Sequence, residues 1–343
     1  MARCDFANGR IGARRSRLLG GRGLRDLLVR RDLGERLEML RQAGYAAAVP
    51  APPPGPDALS AAERGLGDLV RREARELGGH LEGALQRDLY RAFLLFEEAE
   101  TLKTALRGIV HSEPADRVLA LAAPTRSFPA ERLRALAALP DPAAAAALLE
   151  AWENPFAAAV RRALPGIGKP GGLLRLEVAV DRTAQERALA AARGRGEDRA
   201  VMRRLLSARA DLANAATLLK LVGSAEAGEF FLPGGAALGA DRFAALSRLP
   251  PAGLRQQLSR LLRRWLGAPD AARALERPSR AEGLLERGLA RALRAEARAR
   301  PLSLAVPLAY LHDRLWEVRR IRLVLRGAEY GLPADDLLDL LEA

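Results

Sequence analysis

A chain of 343 residues is long enough to bury a substantial core, and 49% hydrophobic against 28% charged residues excludes disorder as the state of most of it. A net charge of +13 admits polyanions as partners. All but three of the 55 basic residues are arginine, however, the exceptions being Lys103, Lys169 and Lys220, and such usage beside long alanine runs resembles the codon bias of a GC-rich genome.

The chain opens on a basic segment, with nine arginines in residues 1–31 against Asp5 and Asp26. No apolar core followed by a small-residue cleavage site accompanies it, so no secretory signal is expected. The single cysteine, Cys4, excludes a disulfide framework and fits a cytosolic setting. A short helix is expected at Leu24–Leu28, and the run PAPPPGP at Pro50–Pro56 reads as a loop because proline removes the helical donor. A long helix follows through Leu89, Phe93, Phe96, Ala99, Leu102, Leu106 and Ile109, whose three-and-four spacing is that of a buried stripe. A second short helix at Leu133–Ala137 precedes the glycine-rich loop Pro165–Gly172. Next comes a stripe of Leu205, Ala208, Leu212, Ala215, Leu219 and Val222, then a third short helix at Phe243–Ser247. Residues 254–300 are again basic, with twelve arginines against five acids. The last long helix runs through Leu308, Leu311, Leu315, Val318, Ile321 and Leu325, and the tail carries Asp335, Asp336, Asp339 and Glu342. The uncharged windows Ala43–Pro56 and Pro301–His312 are too short to span a membrane.

The three long helices echo one another. Each has an acid followed nine residues later by a base: Glu98 and Arg107, Asp211 and Lys220, Glu317 and Arg326. Glycine comes soon after each base, at Gly108, Gly223 and Gly327, and a base in the last turn with a glycine beyond it suits the helix dipole and a left-handed cap. The short helices recur at about the same interval. The pattern predicts an all-α protein of three related helical units, 1–118, 119–225 and 226–343. One acid per repeated helix reads as interhelical or cap bonding rather than catalysis.

Motifs for chemistry fail on context. Gly166, Gly168 and Gly171 satisfy a dinucleotide-loop spacing, but no strand precedes them, Pro170 interrupts them, and neither Ser nor Thr follows Lys169. His80, His111 and His312 are scattered, so no zinc site is expected, and no nucleophile–base pair is visible. We expect no catalytic, metal or cofactor residues. Trp152, Trp265 and Trp316 read as packing residues. Aromatic residues, at 4%, do not interleave with the basic clusters as nucleic-acid stacking platforms do. A basic helical adaptor for nucleic acid or an acidic protein is the alternative reading.

The stretch PLSLAVPLAYLHDRLWEVRRIRLVLRGAEYGLP at Pro301–Pro333 resembles the end of the C subunit of V/A-type ATPases, a relative of the eukaryotic vacuolar d subunit. FANGRIGARRSRLL at Phe6–Leu19 is similar to that family's opening, and RADLANAATLLKL at Arg209–Leu221 resembles its repeated acid-x-x-Asn helix, with Asn214 answered by Thr101 and Arg320 in the other two. The resemblance implies a funnel of three pseudo-symmetric helical units with no catalytic or cofactor site. It also implies a peripheral place on the cytoplasmic face of the membrane, between the proteolipid rotor ring and the central axle, where the protein passes torque between ATP turnover and proton or sodium movement. Charge marks Arg10, Arg14, Arg15 and Lys169 as candidate contacts.

Overall fold

A computed structural model describes residues 5–49, 58–277 and 281–342; Cys4 and Pro50–Pro56 lie outside them. Every regular element among the described residues is helical. In chain order these are α1 (Asp5–Arg15), α2 (Gly20–Leu28), α3 (Leu33–Leu40), α4 (Ala58–Gly79), α5 (Ala84–Val110), α6 (Ala115–Leu121), α7 (Ala130–Ala137), α8 (Pro142–Ala151) and α9 (Ala157–Ala163). They continue as α10 (Gly172–Ala191), α11 (Glu197–Lys220), α12 (Ala240–Ser247), α13 (Pro251–Leu266), α14 (Ala268–Glu276), α15 (Ala281–Ala299), α16 (Ala305–Glu329) and α17 (Ala334–Glu342). The short helices expected at Leu24, Leu133 and Phe243 are α2, α7 and α12; the long striped ones are α5, α11 and α16.

Contacts gather the chain into two compact units, one of residues 1–87 with 297–343 and one of residues 88–296. The first is discontinuous in sequence, and α16 is its spine, lying against α1, α2, α3, α4 and α17. Its core joins Leu24, Leu27 and Leu28 of α2 and Leu37 and Leu40 of α3 to Val318, Ile321, Val324 and Leu325 of α16 and Leu337 of α17. Asp32 starts α3 by accepting the Glu35 amide at 2.8 Å. Gly44, at φ +95, bends the widened last turn Arg41–Tyr45 and lets Tyr45 enter that core.

In the second unit α10 packs on α9 and α11, while α11 and α12 support α13. The stripe of α11 is buried as its spacing predicts, through Leu205, Ala208, Leu212, Ala215 and Leu219, and the helix ends at Lys220, just short of Val222. Asp141 caps α8, whose first residue is Pro142, by accepting the Ala144 amide at 2.8 Å. The three tryptophans are half-buried rather than core residues.

The glycines corrected one expectation. Of the three glycines expected as caps, only Gly223, at φ +78, lies in a left-handed turn beyond its helix. Gly108 and Gly327 sit inside α5 and α16, and the left-handed residues past those helices are Ser112 (φ 53) and Gly331 (φ 64). The reason is close packing: a β-carbon at Gly108 would run into Val118 of α6, and one at Gly327 into Leu337 of α17. An exposed helical glycine gains about 1 kcal/mol on change to alanine. Here Gly327→Ala should instead lose about 1–3 kcal/mol to overpacking, read as a lower urea midpoint; a stabilised variant would show the contact to be loose.

Candidate functional site

The three repeated acids share one arrangement. Asp211, in the middle of α11, is fully buried, and its carboxylate accepts the amides of Ala237 (3.0 Å) and Leu238 (2.8 Å) in the segment leading into α12. Glu98 of α5 is buried and accepts the Ser127 hydroxyl at 2.7 Å, just ahead of α7. Glu317 of α16 is buried and accepts the amides of Leu19 and Gly20, where α2 begins. Each acid therefore clasps the start of a short helix, supplying acceptors to backbone or hydroxyl donors that packing would otherwise strand.

The residue three positions on completes two of these clasps. Asn214 donates to the Leu232 carbonyl at 2.9 Å and accepts the Leu232 amide at 2.8 Å, so one side chain satisfies both backbone groups of that residue. Thr101 donates to the Ala123 carbonyl at 2.8 Å, which explains how threonine can stand where asparagine stands in α11. Arg320 departs from this and donates to the Leu341 carbonyl of α17.

Burial pushes the Glu98 carboxyl above the ordinary carboxylate range, and the Ser127 bonds only partly offset it. An acid with a raised folded pKa holds its proton where the unfolded chain has lost it, so its contribution to stability is present at low pH. That contribution falls as pH rises from the unfolded pKa through the folded one. Glu98→Gln should flatten this dependence and match or exceed the parent's urea midpoint near neutrality; a markedly lower midpoint at every pH would show that the charge itself is needed.

Around Glu317 the clasp widens into a buried network. Arg314 donates to Glu317 (2.8 Å), to the Tyr45 hydroxyl (2.7 Å) and to Glu73 of α4 (3.0 Å), and the Tyr310 hydroxyl donates to Glu73 at 2.7 Å. The Tyr45 hydroxyl also donates to Glu317. Burial and the neighbouring Glu73 push the Tyr310 phenol up to about 12, and burial beside Glu317 pushes Tyr45 higher still, so both stay neutral donors. Burial works against the Arg314 charge, but Tyr45, Glu73, Tyr310 and Glu317 outweigh it and raise its pKa.

The paired bases do not meet their own acids. Arg107 makes a forked bond to Glu177 of α10 at 2.5 and 2.9 Å, and Arg326 bonds the buried Glu63 of α4 at 2.5 Å. Lys220 is exposed. Beside Arg107, the buried Lys103 bridges Asp181 of α10 (2.9 Å) and Glu100 (2.8 Å). Burial opposes the Lys103 charge, yet the two carboxylates hold its pKa above normal. Spacing could identify the acids and bases but not Tyr45, Glu63, Glu73 or Glu177, which arrive from other parts of the chain. The reciprocal bond of Asn214 was the exception, since an asparagine inside an apolar stripe announces a buried partner.

The candidate contacts divide. Arg10 is exposed and bonds His80 Nε2 at 3.1 Å. Arg14 and Arg15 are half-buried rather than exposed, held by Glu76 of α4 (2.5 Å) and Asp313 of α16 (3.7 Å). Outward charge in this region comes instead from Arg17, Arg22, Arg25, Arg30 and Arg31. Lys169 is exposed on its loop, where its amide donates to the Gly166 carbonyl and its carbonyl accepts the Gly172 amide. Carbonyls of Gly166 and Ile167 crowd Gly172, so the loop turns acceptors inward and is unlike a phosphate cradle. Among the described residues no group of His, Cys, Asp and Glu could hold a metal ion, and no helix is long and apolar enough to cross a membrane.

Among the described residues every regular element is helical, and the buried carboxylates of Glu63, Glu98, Asp211 and Glu317 are taken up by amides, hydroxyls and ion pairs of the chain itself. The family model described as ATP synthase (C/AC39) subunit matches residues 7–340, and the chain belongs to that family, one of non-catalytic subunits of a rotary ATPase complex. It is 32% identical over 282 residues to the V-type ATP synthase C subunit of Thermus thermophilus, covering 79% of this chain and 81% of the relative. It is 27% identical over 337 residues to the V-type ATP synthase C subunit of Deinococcus radiodurans, covering 97% and 89%. Identity to the A-type ATP synthase C subunit of Haloquadratum walsbyi is 26% over 342 residues, covering 97% and 96%.

Proposed function

We propose that this chain is a central-stalk rotor subunit, joining the axle to the membrane rotor ring on the cytoplasmic face and passing torque between ATP turnover and ion movement. The observation that carries the reading is a family match running from residue 7 to 340. The clasps support it. A part under torque must not let short helices slide on long ones, and α2, α7 and α12 are each tied to a long helix by a buried acid. We place three related helical units, 1–118, 119–225 and 226–343, around those ties. Arg10 and the outward arginines of residues 17–31 in one unit, and separately Lys169 in the other, are the candidate contacts we assign.

Affinity recovery of the chain from its native membranes, with mass spectrometry of what accompanies it, tests the role. Recovery of ring and axle subunits supports it. Recovery of nucleic acid or unrelated acidic proteins without ATP synthase subunits would replace it with the adaptor reading.

A further inference from the structure

The basic stretch 254–300 resolves, in the structure, into arginines the fold uses and arginines it does not. Arg291 bonds Asp270 at 3.0 Å and also reaches the Leu266 carbonyl, and Arg273 approaches Asp270 at 3.8 Å. On α13 the case differs. Its sequence PAGLRQQLSRLLRRWL contains no acid, and Arg255, Arg260, Arg263 and Arg264 are all exposed together with Gln256 and Gln257. No hydrogen bond or ion pair among the described residues engages these four guanidinium groups, and Arg264 alone rests over the Trp265 ring, 5.5 Å from its centroid.

Helix geometry spreads the four arginines over about half of the circumference and about 14 Å of length. The other side of α13 is fully spent, with Leu254, Leu258, Leu261, Leu262 and Leu266 buried against α11, α12 and α14. The fold does not require this charge. The helices that follow the other two clasped short helices in the chain lack it: α8 has no arginine, and in α3 Arg36 is buried, donating to the carbonyls of Leu28, Arg30 and Val324.

We propose that the outer face of α13 is a docking surface for the phosphates of anionic lipid headgroups; the proposal rests on the stalk reading, which brings the chain to a membrane. Charge complementarity fits, since arginine forks pair with phosphate oxygens and no carboxylate competes on the face. The shape fits as well. A helix embedded along its length offers a broad convex surface suited to a flat layer of headgroups, not one that enters a nucleic-acid groove. A protein partner would be expected to find an apolar anchor. Among the described residues the exposed large hydrophobic side chains are Val29, Leu121, Leu174, Leu302, Tyr330 and Leu332, none of them on α13. A contact made of charge alone also leaves the chain unanchored, as something that turns beside lipid must be.

The test is flotation of the purified full chain with vesicles of phosphatidylcholine, with and without phosphatidylglycerol. Binding should require phosphatidylglycerol and vanish in molar salt. The variant R255Q/R260Q/R263Q/R264Q should bind on the order of a hundredfold more weakly while keeping its helical circular dichroism, and R162Q/R187Q/R193Q/R195Q, with the same loss of charge from exposed positions, should keep most of its binding. Equal loss in both variants would reduce the effect to net charge and overturn the assignment. So would tighter α13-dependent binding to short duplex DNA than to the vesicles. A chain that recovers ring and axle subunits from membranes yet ignores anionic vesicles rejects this surface and leaves the stalk role standing. One that floats through α13 but recovers no ATP synthase subunit keeps the surface and rejects the stalk.

Discussion

Replacing Arg314 by methionine should cost the first unit about 3–5 kcal/mol, the usual loss when one partner of a buried charged network is removed. Arg314 is 4% exposed and stands between Glu73 and Glu317, themselves 13% and 6% exposed, so the variant leaves two carboxylates without their shared cation. Methionine fills much of the space, which isolates the charge effect from a cavity. Urea unfolding followed by far-ultraviolet circular dichroism reads it out as a large fall in midpoint. Combining Arg314→Met with Glu317→Gln should recover part of the loss, because the neutral amide no longer needs the guanidinium. A fall below about 1 kcal/mol would mean that water reaches the network and screens it.

The second large effect is expected at Asp211. Asp211→Ala strands the Ala237 and Leu238 amides and opens a void in the middle of α11, and about 3 kcal/mol should be lost. Asp211→Asn keeps the shape but turns one oxygen into a donor facing donors, so it should be little better. This is the reverse of the expectation at Glu98, where burial already penalises the charge and the amide is tolerated. Hydrogen exchange sharpens the comparison: amides of α12 should lose protection in the Asp211 variants, while those of α7 stay protected in Glu98→Gln. Similar behaviour at both sites would mean that the acids act through packing alone.

Much of this was legible in the sequence because helices declare themselves locally. The stripes of α5, α11 and α16, and the short helices after proline or glycine turns, follow from spacing within a few residues. The acid-to-base interval drew attention to Glu98, Asp211 and Glu317. Their use was not legible, since the partners of Glu317 lie at Leu19, Gly20 and Tyr45, far along the chain and marked by nothing in their own neighbourhoods. The glycines misled for a related reason: Gly108 and Gly327 stand where caps would, but they are small because Val118 and Leu337 come close, and that approach is tertiary. Total charge hid the distinction that matters on the surface, between Arg14, already spent on Glu76, and the unspent row on α13.

The clasp of Glu317 on Leu19 and Gly20 also sets an order in time. Residues of α2 and α3 are made long before α16 and α17, which complete their core, whereas residues 88–296 form one uninterrupted compact unit between them. Throughout synthesis α2 and α3 carry the leucines of an unfinished core. A premature stop ahead of α16 would leave Leu24, Leu27, Leu37 and Leu40 without the helix they pack on, an apolar and aggregation-prone remnant beside a unit that keeps its own contacts.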